Sequence, residues 1–366
     1  MRVVIAPDSF KGSIPAAAAA AALAAGWRSA RPDDEVRQLP LADGGEGTLA
    51  VLAAADAGSR WHHVVVCGPG DGVVKAAWLE MTGNVAVVEL AAAAGLPLLA
   101  QPMPLDAHSY GVGELVLDAL NAGARLVTIT LGGSACTDGG TGLLAALGAR
   151  FLDEHGHVLP FGGGALSRLA AVDLSGMRPQ PVAGVRCLTD VTSPLLGPTG
   201  AAAVFGPQKG ATPDDIGVLE NGLLQLAGLL GGDPAQPGAG AAGGCGYALA
   251  AAWGARLLPG AVQIATTVGL PHALAGADLV ITGEGRYDAT SLTGKVVGAV
   301  RAMAVRAGVP LAVVAGSADE PALAGLGPAA RSVELVTLAG GQQQAMAEPA
   351  RWLTAAGREL ADQAAG

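Results

Sequence analysis

The segment from Asp278 to Lys295 carries the residue types of this chain that are best suited to chemistry. Its apolar run, Leu279 to Thr282, ends in Gly283-Glu284-Gly285-Arg286, and Asp288 follows closely. A short β-branched run that ends at Gly is typical of a buried parallel strand, and the residues just beyond such a strand line the ligand crevice of open α/β sheets. Carboxylates and cations in one crevice could hold a metal ion and anionic phosphates. A solvated loop whose charges satisfy one another is the alternative for this cluster taken alone.

Two predicted strands near the N-terminus, Val3 to Ala6 and Val36 to Leu41, end in the same way. Their loops supply polar side chains: Asp8, Ser9 and Lys11 after the first strand, and Asp43 and Glu46 after the second. Because the carboxyl ends of parallel strands meet at one edge of a sheet, we expect these groups and Glu284 to share a rim. Three such strand ends favour a functional site over a solvated loop.

A glycine-rich loop follows a further apolar strand, Leu126 to Leu131, and precedes a predicted helix that extends to about Ala149. Backbone N–H groups at a helix N-terminus bind anions, so this loop is predicted to contact phosphate. A plain tight turn is the alternative. The predicted contacts are Gly132, Gly133, Ser134 and Asp138.

Lysine is used sparingly. Only four of the 21 basic residues are Lys, and three of these adjoin a Gly: Lys11, Lys209 and Lys295. Lysine is a compact point charge on a flexible stem, which suits phosphate binding. The pair Gly294-Lys295 is not a Walker P-loop, since the upstream Gly and the following Ser or Thr are absent, and the protein-kinase motifs are absent too.

The residues divide into expected roles in a phosphoryl transfer. Asp43 or Asp190, the latter after a predicted strand from Val185 to Leu188, is expected to orient or deprotonate a hydroxyl group. Lys11 and Arg286 are expected to offset charge on the transferring phosphoryl group. Asp8, Ser9, Lys209 and Lys295 are expected to contact substrate or phosphate, and Glu284 and Asp288 to bind Mg²⁺.

Composition restricts the class of protein. At 366 residues the chain exceeds one ordinary core, and the core must be built from small aliphatic residues, since 51% of residues are apolar but only 3% aromatic, with 56 Gly. A net charge of −10 argues against nucleic-acid or membrane-surface partners. The four cysteines have no C-x-x-C or nearby His pair, which predicts free thiols in a reduced compartment. Residues 16–25 are too short for a membrane span, and Asp8 and Lys11 interrupt any signal-like region, so a cytoplasmic location is expected. Composition does not specify an oligomeric state.

The order of predicted elements indicates two α/β domains. Residues 1–59 and 261–366 alternate strands and helices and predict one five-stranded parallel sheet, split in sequence. Residues 60–260 predict an inserted domain that starts with three strands joined as hairpins or a meander. At the C-terminus, a strand from Val333 to Leu338 and a long amphipathic helix from about Gln343 to the chain end are predicted. Ser13 is predicted to cap the first helix.

Gly238 to Gly243 matches the G-x-G-x-x-G pattern of dinucleotide-binding sites. No predicted strand precedes it, and the residues just before it include two prolines, so the dinucleotide fingerprint is rejected. These glycines are instead predicted to allow close packing or close approach to a ligand.

At these residues the sequence strongly resembles the bacterial type I glycerate kinase family. The resemblance implies a flavodoxin-like domain carrying an inserted domain of restriction-endonuclease-like fold. It also implies ATP-dependent, Mg²⁺-assisted phosphorylation of D-glycerate, with the 2-hydroxyl favoured, in the cleft between the domains. The matching segments span nearly the whole chain in the family's order: Ala6 to Lys11, Leu41 to Thr48, Gly132 to Ser134, Asp138 to Gly140, Phe205 to Ala211, Gly238 to Gly244 and Ile281 to Arg286.

Three positions depart from the family's pattern. Tyr110 stands where the family usually has Arg, and Thr137 and Ser193 each replace a usual Asn. These departures concern substrate contacts more than the class of reaction. A kinase for another small hydroxy acid shares every motif, and a non-catalytic nucleotide or flavin sensor would call for more aromatic residues and fewer strand-end carboxylates.

Overall fold

The computed structural model of the protein describes residues 1–292, 295–326 and 330–364. Gly294 of the Gly294-Lys295 pair and the last two residues of the predicted C-terminal helix lie outside these ranges. The chain divides into two compact units. Unit 1 comprises residues 1–43, 50–55 and 259–366, and unit 2 comprises residues 44–49 and 56–258.

The strands are short and are numbered in chain order. They are β1 Arg2–Ile5, β2 Glu35–Gln38, β3 Arg60–Cys67, β4 Val73–Met81, β5 Val85–Glu89, β6 Leu126–Thr130, β7 Arg150–Leu152, β8 Ala171–Asp173, β9 Val185–Leu188, β10 Arg256–Leu258, β11 Leu279–Tyr287, β12 Leu311–Ala318 and β13 Arg331–Glu334.

The helices are numbered in the same way. They are α1 Ala16–Ala30, α2 Thr48–Ala55, α3 Ala91–Ala94, α4 Tyr110–Asn121, α5 Thr141–Ala146, α6 Ala201–Phe205, α7 Pro213–Leu230, α8 Cys245–Trp253, α9 Gly260–Thr267, α10 Leu270–Leu274, α11 Val296–Ala307, α12 Glu320–Ala324, α13 Leu335–Ala339, α14 Gln342–Ala347 and α15 Pro349–Gln363. Short 3-10 turns occur at Leu96–Leu98, Gly163–Arg168, Pro207–Lys209, Ala241–Gly244 and Ala289–Leu292. Among the described helices, none combines the length and the apolarity needed to cross a membrane.

Unit 1 contains a five-stranded sheet in the order β13-β12-β11-β1-β2, with every neighbouring pair parallel. Counted along unit 1 alone, this is the order 2-1-3-4-5 of flavodoxin-like sheets, so the predicted α/β class is confirmed. One face is covered by α1 and α15. These helices can approach closely because Gly26 and Gly357 have no Cβ, which would otherwise collide with the backbone of the other helix. The predicted use of glycine for close packing in a small-residue core holds here.

Three local predictions in unit 1 were wrong. The first helix starts at Ala16 without a side-chain cap, because Ser13 belongs to a turn in which its N–H donates to the Phe10 carbonyl. The strand predicted from Val333 to Leu338 ends at Glu334, and the chain then turns into helix α13. The long C-terminal helix is two helices, since Pro349 has no N–H to donate and starts a new helix instead.

Unit 2 contains a six-stranded sheet in the order β10-β9-β6-β5-β4-β3. Strands β3, β4 and β5 pair antiparallel, which confirms the predicted meander, and the remaining neighbours are parallel. The name of this fold, restriction-endonuclease-like, stays a prediction, as do the predicted domain boundaries at residues 59/60 and 260/261. The observed units differ from that division mainly in residues 44–49, which belong to unit 2.

The Gly238 to Gly243 segment has the structure of a packed turn. A Cβ on Gly240 would collide with the Pro194 carbonyl, and one on Gly243 with the Cys136 carbonyl. Ala242, between them, is in the left-handed region with φ 51°. The prediction that these glycines allow close packing is confirmed.

Candidate active site

Unit 1 has a cavity of about 480 Å³ along the carboxyl edge of its sheet. The loops after β1 and β2, together with β11 and its continuation, supply its charged lining: Asp8, Lys11, Asp43, Glu284, Arg286, Asp288 and Lys295. The predicted meeting of the three strand ends is therefore confirmed for Asp8, Ser9, Lys11, Asp43 and Glu284, whereas Glu46 belongs to unit 2 and is not among the lining residues. The chemical role of each residue stays a prediction.

The strand order explains this meeting. Strand β1 lies between β11 and β2, so the loops after β1 and β2 and the end of β11 are neighbours. Tight backbone contacts reinforce the arrangement: the Asp8 N–H donates to the Gly283 carbonyl at 2.9 Å. The Thr282 hydroxyl donates to the Ala6 carbonyl at 2.8 Å. Residues 275 and 276 positions apart in sequence are thus held beside one another.

Two carboxylates of this cavity, Asp8 and Glu284, have raised pKa values. Asp8 is 7% exposed, and burial, with further contributions from Asp43 and Glu284, raises its pKa from 3.8 to about 7 despite a hydrogen bond from the Ser9 N–H at 2.6 Å. Burial also raises the pKa of Glu284, which is 8% exposed, although Ser291 and Lys295 act in the opposite direction. Crowded, poorly solvated carboxylates are typical of functional sites rather than of solvated loops.

Lys11 partly balances this negative charge. Its Nζ lies 3.6 Å from Asp43 Oδ2, and the pKa of Lys11 is raised, chiefly by Asp43. The Lys11 side chain is exposed, so the ammonium remains accessible to an anionic ligand.

Asp288 is arranged differently from Asp8 and Glu284. Its Oδ1 accepts hydrogen bonds from the N–H and the hydroxyl of Thr290 at 2.8 and 2.6 Å, and these bonds lower its pKa. Its Oδ2 lies 3.9 Å from Arg286 Nε. Arg286 is itself exposed and also pairs with Asp319 at 3.4 Å. One Asp288 oxygen is thus committed to its own loop.

Glu284 has a carboxylate oxygen that fits a cation. Within the described part of the chain, its Oε1 is buried and accepts no hydrogen bond. A buried, unpaired carboxylate oxygen costs stability unless a proton or a cation binds to it. Magnesium prefers carboxylate oxygens, so the predicted assignment of Glu284 to a metal is compatible with this geometry.

The glycine-rich loop of unit 2 binds an anion of the protein itself. Asp138 is fully buried, and its carboxylate accepts four hydrogen bonds of 2.8 to 3.1 Å, from the N–H and hydroxyl of Ser109 and from the N–H groups of Gly140 and Gly142. The Leu143 N–H donates to the Ser109 hydroxyl. The amides at the start of α5 are therefore already satisfied. The Asp138 carboxylate thus lies where the anionic ligand was expected, and its own contact with phosphate stays a prediction.

Lys209 is buried beside the glycine-rich loop, and its predicted phosphate contact stays a prediction. It is 2% exposed, and its Nζ donates to the Cys136 carbonyl at 2.5 Å and to Thr137 Oγ1 at 3.4 Å. Burial lowers its pKa, while Cys136, Cys245 and Asp138 act against that shift. The lysine is a buried counter-charge, which its exposed-looking Gln-Lys-Gly sequence did not indicate.

Cys136, Cys245 and Asp138 have potential ligand atoms that all lie within 4.8 Å of one another. All four cysteines are free thiols, and the buried Lys209 ammonium already supplies positive charge to this cluster. The cluster is therefore better explained as part of the loop's packing than as a metal site.

The remaining predicted residues of unit 2 lie at its strand ends. Asp190 is partly buried just beyond β9. In the glycine-rich loop, Gly132 and Ser134 are partly exposed and Gly133 is exposed, with φ 71°. Their predicted contacts with substrate or phosphate stay predictions.

Sequence reasoning missed several residues that line the cavity of unit 1. Gly316 and Ser317 lie near the carboxyl end of β12, so the rule that found Glu284 would have found them as well. Leu335, Val336, Gln342 and Met346 had no such signal. The sequence pattern predicted an extended strand where the chain forms α13, and so it hid the turn that brings these residues to the edge.

Comparison with known proteins agrees with the geometry. A sequence model of the Glycerate kinase family matches residues 3–365. The chain belongs to this family. It is 43% identical to a glycerate 2-kinase of Escherichia coli (strain K12) over 326 residues, which cover 87% of this chain and 85% of that one. It is 44% identical to a glycerate kinase of Bacillus subtilis (strain 168) over 327 residues, covering 87% and 85% of the two chains.

A solved structure points to the same family. The crystal structure of a glycerate kinase 2 from Salmonella typhimurium LT2 has a TM-score of 0.83 and 38% identity, and the match covers 99% of this chain and 98% of that one. The protein is thus a kinase, which confirms the enzyme class and the family resemblance predicted from the sequence.

Proposed function

We propose that this kinase transfers the γ-phosphoryl group of ATP to D-glycerate, at the 2-hydroxyl in preference to the 3-hydroxyl, with the help of Mg²⁺. The observation that carries the proposal is the cavity of unit 1, in which carboxylates and cations converge at the carboxyl edge of a parallel sheet. The name of the Escherichia coli relative, glycerate 2-kinase, supports the choice of hydroxyl.

The cations of the cavity are the proposed anion-binding groups. Lys11, Arg286 and Lys295 all line it, and Lys295 is the residue that precedes the first turn of the 12-residue helix α11. The N-terminus of a helix carries unsatisfied N–H groups and partial positive charge, which add to the lysine charge. Both reactants are anionic, so these groups would bind the glycerate carboxylate and the phosphates of ATP.

Asp8 and Asp43 are the proposed groups that orient the hydroxyl and accept its proton. A base is most effective when its pKa lies near the working pH, and the pKa of Asp8 is raised to about 7. Asp43 is paired with Lys11, which keeps the ammonium beside the reacting groups. Asp8 is therefore the stronger candidate for the proton acceptor, and Asp43 would orient the hydroxyl while it holds Lys11 in place.

Glu284 and Asp288 would hold Mg²⁺. The buried Oε1 of Glu284 lacks a hydrogen-bond partner among the described residues. In Asp288, Thr290 donates to Oδ1, so Oδ2 is the oxygen proposed for the ion. When bound, the ion would offset negative charge on the phosphates of ATP.

Two predictions from unit 2 are retained in the proposal. Gly132, Gly133 and Ser134 reach the surface of that unit and offer backbone and hydroxyl donors for phosphate. Asp190 is retained as a second candidate for orienting the hydroxyl. Asp190→Asn tests this role: a rise in the KM for glycerate with an unchanged KM for ATP would support it.

The proposed reaction is tested by product analysis. The full-length protein is incubated with ATP, Mg²⁺ and either D- or L-glycerate, and the phosphoglycerate isomer is identified by ³¹P NMR. We expect 2-phosphoglycerate from the D isomer and no product when EDTA is in excess over Mg²⁺. Formation of 3-phosphoglycerate would overturn the assigned hydroxyl, and turnover only with another small hydroxy acid would overturn the assigned substrate.

A further inference from the structure

The cavity of unit 1 has two chemically different ends. Its charged residues come from the loops after β1 and β2 and from β11 and its continuation, which lie toward one side of the sheet. Beyond β12, at the other side, the lining comes from α13 and α14, and it is largely apolar. These residues are Leu335, Val336, Gln342, Ala345 and Met346.

The strand register gives the separation of the two ends. Glu284 pairs with Ala315, and Ala315 pairs with Glu334, the residue immediately before Leu335. Neighbouring strands lie about 4.8 Å apart, so the backbone at Leu335 is roughly 10 Å from that at Glu284. Gly316 lies on the strand between them, where it contacts the backbone of Gly285 so closely that a Cβ could not be accommodated. Gly316 therefore places no side chain in the cavity between its charged end and its apolar end.

Glycerate does not match this shape. It is a three-carbon acid with a polar group on every carbon, so it gains nothing from an apolar wall and fills only part of about 480 Å³. A nucleoside triphosphate has its charged phosphates at one end and a flat, largely apolar base at the other. The charged and apolar ends of a nucleoside triphosphate therefore match the charged and apolar ends of the cavity.

We infer that the apolar end formed by α13 and α14 is the nucleobase subsite of the phosphoryl donor, with the phosphates directed toward Lys11 and Lys295. This inference rests on the proposed function, because it assigns an orientation to ATP in the same cavity. Met346 is 50% exposed, and its polarisable thioether suits a contact with an aromatic ring. Gln342 is exposed beside it, with Nε2 3.9 Å from Met346 Sδ, and its amide can both donate to and accept from a base edge.

A matched pair of substitutions on α14 tests the subsite. Ala345 is 6% exposed and lines the cavity, so Ala345→Leu would occupy the space assigned to the base. Ala347 lies on the same helix but is exposed and does not line the cavity, so Ala347→Leu is the control. We expect Ala345→Leu to raise the KM for ATP and the Kd for ADP, measured by calorimetry, at least tenfold. The KM for glycerate should stay within twofold, and the control should resemble the wild type.

Inorganic tripolyphosphate separates the base from the phosphates. It has no base, so its inhibition constant should be the same for Ala345→Leu and the wild type. A second variant, Met346→Ser, changes a half-exposed side chain, and we expect it to weaken ADP binding two- to fivefold. An unchanged Kd for ADP in both variants, or a parallel loss of tripolyphosphate inhibition, would overturn the inference.

The outcomes also separate this inference from the proposed function. If the wild type phosphorylates glycerate but neither variant affects nucleotide binding, the subsite is wrong and the reaction stands. If the wild type binds ADP and Ala345→Leu weakens that binding, but no phosphoglycerate forms, the subsite stands and the proposed reaction is wrong.

Discussion

The buried carboxylates of the two units differ in the number of hydrogen bonds that they accept. In unit 2, Asp138 is 0% exposed and accepts four hydrogen bonds from donors that converge on it. In unit 1, Asp8 and Glu284 are 7% and 8% exposed, yet Asp8 accepts one hydrogen bond, from Ser9, and Glu284 Oε1 accepts none among the described residues. The three carboxylates are thus similarly buried, but Asp138 accepts more hydrogen bonds than the other two.

The difference indicates what each carboxylate is for. A buried carboxylate with all its donors in place stabilises the loop around it, and any ligand would have to displace those donors. A buried carboxylate short of donors destabilises the folded chain until a proton, a cation or a substrate binds. We therefore expect Asp138 to stabilise the fold of unit 2, and Asp8 and Glu284 to belong to a binding site.

The largest expected effect is on turnover at Glu284. We expect Glu284→Gln to lower kcat by about 10² to 10³-fold, because the charge that would face the transferring phosphoryl group and its counter-ion is lost. The thermal midpoint should not fall below that of the wild type, since a poorly satisfied charge is removed. Glu320→Gln, an exposed acid in the first turn of α12, is the control and should behave as the wild type. A kcat for Glu284→Gln within threefold of the wild type would place Glu284 with the structural carboxylates.

The next effect is on stability at Asp138. Asp138→Asn replaces one acceptor oxygen by a donor that faces other donors, and we expect the free energy of unfolding to fall by about 3 kcal/mol. The kcat of the folded fraction should stay within threefold. Urea unfolding measures the first quantity and an assay below the transition the second.

Asp153→Asn provides the comparison for that variant. Asp153 also accepts backbone N–H bonds, from His155 and His157, but at a surface turn, so the loss should be below about 1 kcal/mol. If Asp138→Asn instead leaves stability unchanged and raises the KM for ATP, the phosphate contact predicted for Asp138 would be supported.

An effect of opposite sign, which depends on pH, is expected at Asp8. Its folded pKa, about 7, lies above the ordinary value of 3.8, so the ionised carboxylate costs stability, and this cost grows as the pH rises from about 4 through 7. Asp8→Asn removes it. We expect the variant to be more stable than the wild type by up to about 4 kcal/mol at pH 8, with the difference vanishing near pH 4. Urea unfolding across this pH range measures it, and a pH-independent difference would contradict the assignment.

The smallest effect is expected at Lys209. Lys209→Met keeps the volume of the side chain and removes the buried charge, which leaves the Cys136 carbonyl without its donor but also ends the desolvation of an ammonium. These contributions oppose each other, so we expect a loss of about 1 kcal/mol and an unchanged KM for ATP. A severalfold rise in the KM for ATP with normal stability would show that Lys209 contacts phosphate after all.

Much of the site in unit 1 could be predicted from the sequence. Asp8, Asp43 and Glu284 each follow a short apolar run, and the strand rule alone was enough to bring them to one edge. The prediction of a strand failed at α13. The pattern of apolar and polar residues from Val333 to Leu338 is compatible with a strand and also with a helix in which Leu335 is buried. Sequence periodicity over six residues does not distinguish the two, and so the apolar end of the cavity was missed.

The sequence by itself determined the α/β class, the family, and the positions at which carboxylates follow strands, because these depend on residue type and local spacing. Only the tertiary structure decided which carboxylates are satisfied. Asp138 is held by Ser109, 29 residues away, and the Lys209 ammonium reaches a carbonyl 73 residues from its own position. Such donors come from long-range packing, which local spacing does not encode, and they separate a structural acid from a reactive one.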